Sequence, residues 1–265
     1  MNPQKIIFRI LFAFFLMSYS FYPSKFYGAQ VDDKQLFKDL REKWNEIPVG
    51  QERRTSFDLL KCSDEELLGF YNEGVEILAA YGLSYQSYKN VVKDKQVLDV
   101  GSGIGVTGIF LAQQGAQVTF LDIVKENLLV VKRICNLLSL KNVDFFYMED
   151  LQSLKKLDSN FDFIFCIGSL INAPFSIIKD ETLELAKHLK PKGRWIELCY
   201  PKERWEREGS MPFEDWGAKT DGGAPWMEWY DLEKMKDRFS PLTFRVISYY
   251  NFHDDDFNIF DLIIE

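Results

Sequence analysis

The segment VLDVGSGIG, residues 97–105, decides the fold of this chain. Its first four residues continue an apolar run from Gln96 that predicts a buried β-strand, and a helical pattern follows over 104–114. Between them lie Gly101, Gly103 and Gly105. Glycines at such a junction let backbone amides approach a ligand at the start of the helix. The segment therefore predicts a ligand-binding turn at the carboxyl end of a strand.

Short apolar strands alternate with helical stretches on the C-terminal side of this turn. Near-continuous apolar strands with crossover helices are typical of a parallel sheet covered on both faces. The last two strands are separated only by a tight turn at 253–256, so they must pair antiparallel. We predict strands over 96–100, 117–122, 143–147, 161–167, 193–198, 244–252 and 257–264, and further helices over 125–138 and 177–189. The predicted fold is α/β, with a Rossmann-like, doubly wound, mostly parallel seven-stranded sheet that ends in an antiparallel hairpin.

The part of the chain before residue 95 has a helical pattern. Amphipathic helices are predicted over 34–46 and 63–81, and Ser63 with Glu66 forms a capping box for the second. We interpret residues 31–94 as an N-terminal helical cap on a domain that spans 95–265.

Residues 1–30 form a hydrophobic segment with three basic residues and no acidic one. Its uncharged stretch, 10–24, is 15 residues long, whereas a membrane-spanning helix needs about 20. Three interpretations follow: an export signal, a short membrane anchor, or an upstream extension that the working protein does not carry.

The composition limits the partners of this protein. Its 265 residues are 46% hydrophobic and 27% charged, which fits a sizeable globular domain. The formal net charge of -8 disfavours nucleic acid, because phosphate binding needs a basic surface. The 4 cysteines are far apart and only 2 histidines are present, so we expect no metal site. The lack of a disulfide pattern favours a reducing compartment.

Two classes of cofactor fit the glycine turn and Asp122, an acid placed at the end of the second strand to bind a ribose diol. Gly103, Gly105 and Gly108 match the dinucleotide pattern GxGxxG, and Asp122 follows Gly103 by 19 residues. Asp99 distinguishes the two classes, because its carboxylate would repel a pyrophosphate. A cofactor with a cationic amino-acid tail and no phosphate fits better.

The sequence resembles the class I S-adenosylmethionine-dependent methyltransferases, whose cofactor has such a tail. The resemblance spans about residues 95–200 and rests on VLDVGSGIG (97–105), VTFLDI (118–123), FYMEDL (146–151), FDFIFCIGSL (161–170) and LKPKGRWIEL (189–198). The terminal hairpin agrees with the antiparallel last strand of that family. The resemblance implies S-adenosylmethionine as the cofactor and methyl transfer as the reaction.

The resemblance also implies cofactor-binding roles for residues within these motifs. They are Asp99, Gly101, Ser102, Gly103 and Gly105 for the methionine moiety, Asp122 for the ribose hydroxyls, Ile123 against adenine, Asp150 and Leu151 for the adenine amino group and ring, and Cys166, Ile167 and Gly168 beside the sulfonium.

The residues that bind and activate the methyl acceptor are predicted to lie in the C-terminal part of the chain. His253, at the hairpin turn, is the candidate catalytic base, with a solvated turn histidine as the alternative. Residues 201–230 interrupt the alternation of strands and helices, and long connections of this kind are usually functional. We interpret them as a substrate lid, with packing of its tryptophans in a surface cluster as the alternative. The predicted substrate-binding residues are Trp205, Trp216, Trp226 and Glu228.

The sequence thus predicts methyl transfer to a small polar acceptor, a sugar or other metabolite, at oxygen or nitrogen. The alternatives are an NAD(P)-dependent oxidoreductase and a cofactor-binding protein without catalysis. Because S-adenosylmethionine is made and kept inside cells, we expect a cytoplasmic location, with membrane association possible through residues 1–24. Export is the alternative if residues 1–29 are a cleaved signal.

Overall fold

The computed structural model describes residues 33–47, 53–80, 85–157, 160–220 and 223–265. The strands are β1 (Gln96–Val100), β2 (Gln117–Asp122), β3 (Val143–Tyr147), β4 (Phe161–Ile167), β5 (Leu189–Cys199), β6 (Phe244–Phe252) and β7 (Phe257–Ile264). The α-helices are α1 (Asp33–Glu46), α2 (Ser56–Lys61), α3 (Asp64–Ala80), α4 (Tyr85–Tyr88), α5 (Val106–Gln113), α6 (Lys125–Leu137), α7 (Phe175–Ala186), α8 (Lys202–Arg207), α9 (Phe213–Thr220) and α10 (Leu232–Phe239). A 3₁₀ helix covers Leu151–Lys156.

The strands form a seven-stranded sheet in the order β3-β2-β1-β4-β5-β7-β6. Strands β1 to β5 pair in parallel, whereas β7 pairs antiparallel with both β5 and β6. The predicted Rossmann-like sheet with its terminal hairpin is confirmed. The strand order reverses between β1 and β4, and ligands of such sheets bind at this reversal, outside the carboxyl ends of the strands. The glycine turn after β1 lies at the same place.

Helices cover both faces of the sheet, which explains the continuous apolar character of the central strands. Successive strand residues point to opposite faces, so Leu98 and Ile164 pack in a core with α1, α7 and α10. Val97 and Phe163 pack instead in a second core with α3, α5 and α6. The first core also holds most of the aromatic residues of segment 201–230.

The two helices predicted before residue 95 are present, and the structure adds two short ones, α2 and α4. Ser63 and Glu66 form the predicted capping box, with the Ser63 amide donating to Glu66 Oε2 at 2.8 Å. A short helix that was not predicted, α2, precedes it and has its own capping box at Thr55. The signal or anchor predicted for residues 1–30 lies outside the described residues. No helix in the described part of the chain is long and apolar enough to cross a membrane.

Two secondary-structure predictions need correction. Segment 201–230 is not one long irregular connection, because it folds α8 and α9 within its length. The helix predicted over 177–189 ends at Ala186, and β5 begins at Leu189 rather than at 193. His188 therefore lies between the helix and the strand, where its backbone carbonyl accepts the Phe161 amide at 2.7 Å.

Candidate functional site

The turn after β1 adopts a backbone that requires glycine. Gly101, Gly103 and Gly105 have φ angles of 63°, 53° and 78°, in the left-handed region. A Cβ on Gly101 would lie 2.4 Å from Ser169 Cβ, so the turn after β1 directly contacts the segment after β4. A Cβ on Gly105 would lie 2.8 Å from the methyl groups of Val131 on α6, so the turn also packs directly against this helix. The turn is therefore held between the two neighbouring elements.

Asp122, at the end of β2, fixes the same turn from the other side. Its Oδ2 accepts the Gly103 amide at 2.8 Å and Asn127 Nδ2 at 3.2 Å, and its Oδ1 accepts the Val124 amide at 2.8 Å. Burial raises the pKa of Asp122 to about 6, because these hydrogen bonds only partly offset the loss of water. The carboxylate both shapes the turn and lines the cavity beside it.

Asp99 lies beneath the turn rather than along the cavity. Its Oδ2 accepts the Gly108 amide at 3.1 Å, and the residue is 3% exposed. A Cβ on Gly108 would lie 2.5 Å from this oxygen and 2.3 Å from Phe120, so the last glycine of the GxGxxG match serves the packing of α5 on the sheet. Burial raises the pKa of Asp99 to about 7. Direct contact between Asp99 and the cationic part of a cofactor stays a prediction.

A cavity of about 200 Å³ opens beside the turn, at the strand-order reversal. Its walls come from three places: the turn and the end of β2, the segment after β4 with α7, and the N-terminal part of the chain. The lining residues are Phe37, Leu40, Trp44, Ile47, Ser56, Val100, Gly101, Gly103, Ile104, Leu121, Asp122, Ile123, Asn127, Gly168, Ser169, Leu170, Asn172, Ala173, Ile178 and Glu181.

The cavity brings together five of the residues predicted to bind the cofactor. They are Gly101, Gly103, Asp122, Ile123 and Gly168. The other predicted positions do not line this cavity in the described structure, and their contacts stay predictions. They are Asp99, Ser102, Gly105, Asp150, Leu151, Cys166 and Ile167.

Two of these positions have local structural contacts. Asp150 caps the 3₁₀ helix, and its Oδ1 accepts the Ser153 amide at 2.9 Å. Cys166 is fully buried, and burial raises the pKa of its thiol well above the ordinary value.

The roof of the cavity comes from α1, which the sequence did not assign to the site. Phe37, Leu40 and Trp44 line the cavity from one face of this helix, at a spacing of three and then four residues. The apolar spacing of α1 indicated a buried face, but nothing in the sequence indicated that this face would cover the glycine turn.

Glu181, on α7, is the second lining residue that the sequence did not assign. It is 8% exposed, and burial raises its pKa to about 7. The nearby Arg238 lowers this pKa and Glu197 raises it, both less than burial does. A signal was present in the sequence, because Ile178 and Leu185 place Glu181 on the buried face of the helix.

His253 lies at the correct end of the sheet but away from the cavity. Since Cys199 of β5 pairs with Asn258 of β7, the hairpin turn lies beside the carboxyl ends of the parallel strands. Two strands, β4 and β5, separate β7 from β1. The imidazole packs near the rings of Phe252 and Phe257, with centroids 5.4 Å and 6.4 Å away. Its role as a base stays a prediction.

The tryptophans of segment 201–230 make well-defined internal contacts. Trp216 is fully buried and donates through Nε1 to Glu208 at 2.7 Å. Trp226 donates to Glu228 at 2.7 Å, and Trp205 donates to a backbone carbonyl at 2.8 Å. These contacts are those expected for the packed-cluster alternative, and substrate binding by these residues stays a prediction.

The same segment also supports the cavity wall. Asn172, a lining residue, donates through Nδ2 to the Trp226 carbonyl at 3.2 Å. The Glu228 amide donates to the Ile171 carbonyl at 2.7 Å. Segment 201–230 thus braces the residues after β4 through direct hydrogen bonds.

Comparisons with known proteins agree with this architecture. Residues 97–193 match the family model described as a methyltransferase domain. The ubiquinone biosynthesis O-methyltransferase of Xylella fastidiosa (strain M23) is 37% identical over 113 residues, which cover 42% of this chain and 44% of that protein. The ribosomal RNA small subunit methyltransferase G of Ruthia magnifica subsp. Calyptogena magnifica is 33% identical over 100 residues, 37% of this chain and 45% of that protein. The chain therefore matches less than half the length of these curated relatives.

Solved structures share the fold at low sequence identity. Magnesium protoporphyrin IX methyltransferase from Synechocystis PCC 6803, solved with bound S-adenosylmethionine, superposes with a TM-score of 0.52 at 18% identity, covering 89% of this chain and 99% of that chain. The [4+2]-cyclase SpnF superposes with a TM-score of 0.56 at 16% identity, covering 73% of this chain and 82% of that chain. Because one of these proteins is named as a cyclase, the fold does not by itself specify the reaction.

Proposed function

Because residues 97–193 are a methyltransferase domain of the class I S-adenosylmethionine-dependent type, we propose that this protein transfers a methyl group to a small acceptor bound in the α1-roofed cavity. One observation carries the proposal: the glycine turn, Asp122 and the segment after β4 converge on one cavity at the strand-order reversal. This is the position at which the fold binds a nucleoside-type ligand.

The residues beside the turn fit S-adenosylmethionine, the cofactor of this domain type. The hydroxyls of Ser102 and Ser169 are buried, and neither has a hydrogen-bond partner among the described residues. A buried polar atom without a partner costs about 1–3 kcal/mol, so the hydroxyl of Ser169, which lines the cavity, favours a polar ligand there. Asp122 would accept the ribose hydroxyls, and Ile123 would contact the adenine ring. When bound, the cofactor supplies a methyl group that its sulfonium already activates.

The rest of the site positions the acceptor and excludes water. The roof residues Phe37, Leu40 and Trp44, together with Leu170 and Ile178, make the walls largely apolar. Placing two reactants side by side in a dry cavity is the main contribution that a protein makes to an in-line displacement.

The apolar walls support a small acceptor with an apolar body more than a sugar. Methylation at oxygen is part of the proposal, supported by the name of the Xylella relative. A second relative is named for ribosomal RNA, but the net charge of -8 opposes binding of a polyanion here. A cytoplasmic location is also proposed, since it is where the cofactor is available.

The proposal is tested by calorimetry with S-adenosylhomocysteine and with NAD. We expect S-adenosylhomocysteine to bind and NAD not to bind. Asp122→Asn should weaken S-adenosylhomocysteine binding about tenfold or more, because an amide cannot accept all the hydrogen bonds that this carboxylate receives. Asp144→Asn, at an exposed position on β3, is the matched control.

Turnover is tested separately, by mass spectrometry of a panel of alcohols, phenols and amines incubated with the protein and S-adenosylmethionine. A gain of one methyl group on a panel member supports methyl transfer. Tight binding of NAD without S-adenosylhomocysteine binding would instead identify an oxidoreductase. Cofactor binding without turnover of any panel member would favour a binding protein.

A further inference from the structure

Glu181 combines three properties that an ordinary helix residue does not have. The residue lines the cavity, it is 8% exposed, and no described residue donates a hydrogen bond to its carboxylate. Buried carboxylates are normally paired with a cation or with several donors. The carboxylate therefore has capacity for a ligand in the cavity.

Glu181 is not required as a counter-ion for the nearby Arg238. Arg238, on α10, binds Glu197 of β5 through both terminal nitrogens at 2.8 Å. Its Nε donates to Thr182 Oγ1 at 2.6 Å. Arg238 is thus satisfied by other groups, and Glu181 remains as an additional buried acid beside them.

The position of Glu181 separates it from the predicted cofactor contacts. Gly101, Gly103 and Asp122 form the cavity wall on the side of β1 and β2, whereas Glu181 belongs to the wall formed after β4. Ile178, one turn earlier on the same helix, also lines the cavity. Glu181 is thus the acidic group of this wall, which also has the uncharged polar residues Ser169 and Asn172.

We propose that Glu181 binds the methyl acceptor by accepting a hydrogen bond from a hydroxyl group carried on an apolar body. This inference rests on the proposed function. Its geometric basis is a buried carboxylate that accepts no hydrogen bond from the described residues. It belongs to a wall that also contributes the apolar Leu170, Ala173 and Ile178 and the uncharged polar Ser169 and Asn172. A few well-placed polar groups in a mostly apolar pocket orient a ligand and set its specificity. The raised pKa of Glu181, caused mainly by burial, agrees with a carboxylate that lacks donors while no ligand is bound.

The test uses phenol, fluorobenzene and benzylamine as probes on the full chain saturated with S-adenosylhomocysteine. Phenol and fluorobenzene have similar size, but only phenol donates a hydrogen bond. We expect phenol to bind at least fivefold more tightly than fluorobenzene, as measured by ligand-observed NMR titration. This comparison needs no variant, so it stands even if a variant fails to fold.

Glu181→Met should abolish the preference for phenol and leave the affinity for S-adenosylhomocysteine unchanged. Its urea midpoint should stay the same or rise, because the variant removes a buried carboxylate that no described residue stabilises. A residue with a structural role would instead lower the midpoint on replacement. Asp180→Asn, an exposed neighbour on the same helix, should change none of these quantities.

The outcomes separate this inference from the proposed function. Equal affinities of phenol and fluorobenzene in the unmodified protein, or a phenol preference that survives Glu181→Met, overturn the role of Glu181. Benzylamine binding in place of phenol overturns the choice of a hydroxyl. Failure of S-adenosylhomocysteine to bind the unmodified protein overturns the proposed function itself, and this inference with it.

Discussion

Gly101→Ala should destabilise the protein far more than Gly103→Ala, although both glycines lie in one turn. Both have positive φ angles, 63° and 53°. Forcing alanine into this region costs about 1–2 kcal/mol at either position. The reduced entropy of the unfolded chain, about 0.4–1 kcal/mol, also applies to both variants and cancels in their comparison.

The difference between the two variants comes from the space around each glycine. A Cβ at position 101 would lie 2.4 Å from Ser169 Cβ, whereas a Cβ at 103 would have no atom within 4 Å. Relieving an overlap of this kind requires shifts in packed backbone and costs about 1–3 kcal/mol. After the unfolded-state term is subtracted, we expect Gly101→Ala to lower the free energy of unfolding by about 1–4.5 kcal/mol and Gly103→Ala by about 0–1.5 kcal/mol.

Urea unfolding of four proteins measures the overlap directly. The unmodified chain, Gly101→Ala, Ser169→Gly and the double variant form a cycle whose coupling free energy should be about 1–3 kcal/mol in favour of the double variant. Removing the Ser169 side chain takes away the atom that the new methyl group meets. Equal costs for Gly101→Ala and Gly103→Ala, together with a coupling energy near zero, would refute the contact between the two loops.

Three further predictions concern buried charge and the roof. Arg238→Met should lower the free energy of unfolding by about 3–5 kcal/mol in urea denaturation, because it leaves Glu197 fully buried and without its cation; a loss below 1 kcal/mol would contradict this. Burial raises the folded-state pKa of Asp99 from 3.8 to about 7, so the free energy of unfolding should fall as pH rises from about 4 to 7, by at most about 4 kcal/mol. Urea midpoints measured across this range should fall less steeply in Asp99→Asn than in the unmodified protein. Parallel curves for the two proteins would contradict the raised pKa of Asp99. Trp44→Ala should weaken phenol binding about fivefold through loss of an aromatic contact, whereas Lys38→Ala, exposed on the same helix, should leave it unchanged.

The sheet could be predicted from the sequence because its signals are local. Each central strand is a short apolar run, and the two final strands, 244–252 and 257–264, lie too close together in the chain for a crossover. The glycine turn was also predictable, since the positive φ angles that it needs exclude most other residues. Such features depend on a few neighbouring residues.

The roof and Glu181 depend on contacts between distant parts of the chain. The sequence pattern of α1 indicates an apolar face but not which surface that face covers. In the sequence, Glu181 is one of several acidic residues on α7. It differs from the others only in its helical spacing from Ile178 and Leu185, which places it on the buried face. The place of Glu181 in the cavity wall is defined only once the helix is packed against the strands.

The tryptophans of segment 201–230 illustrate a different limit. Composition alone predicted an aromatic wall for a substrate, but three of the four indoles donate to an acceptor nearby, and Trp229 Nε1 has none among the described residues. Trp226 donates to Glu228, two residues away, and Trp216 donates to Glu208, eight residues away. Whether an indole faces a ligand or a neighbouring acid is decided by the path of the backbone, which irregular segments encode weakly.

The roof helix has a consequence for how this protein compares with its relatives. Phe37, Leu40 and Trp44 come from a part of the chain that precedes the methyltransferase match at residues 97–193. A chain trimmed to the matched residues would keep the glycine turn, where we propose that the cofactor binds, but lose the roof, where we propose that the acceptor makes contact. If the proposal holds, two proteins with nearly identical turns can accept different substrates, and exchanging α1 between them should exchange that preference.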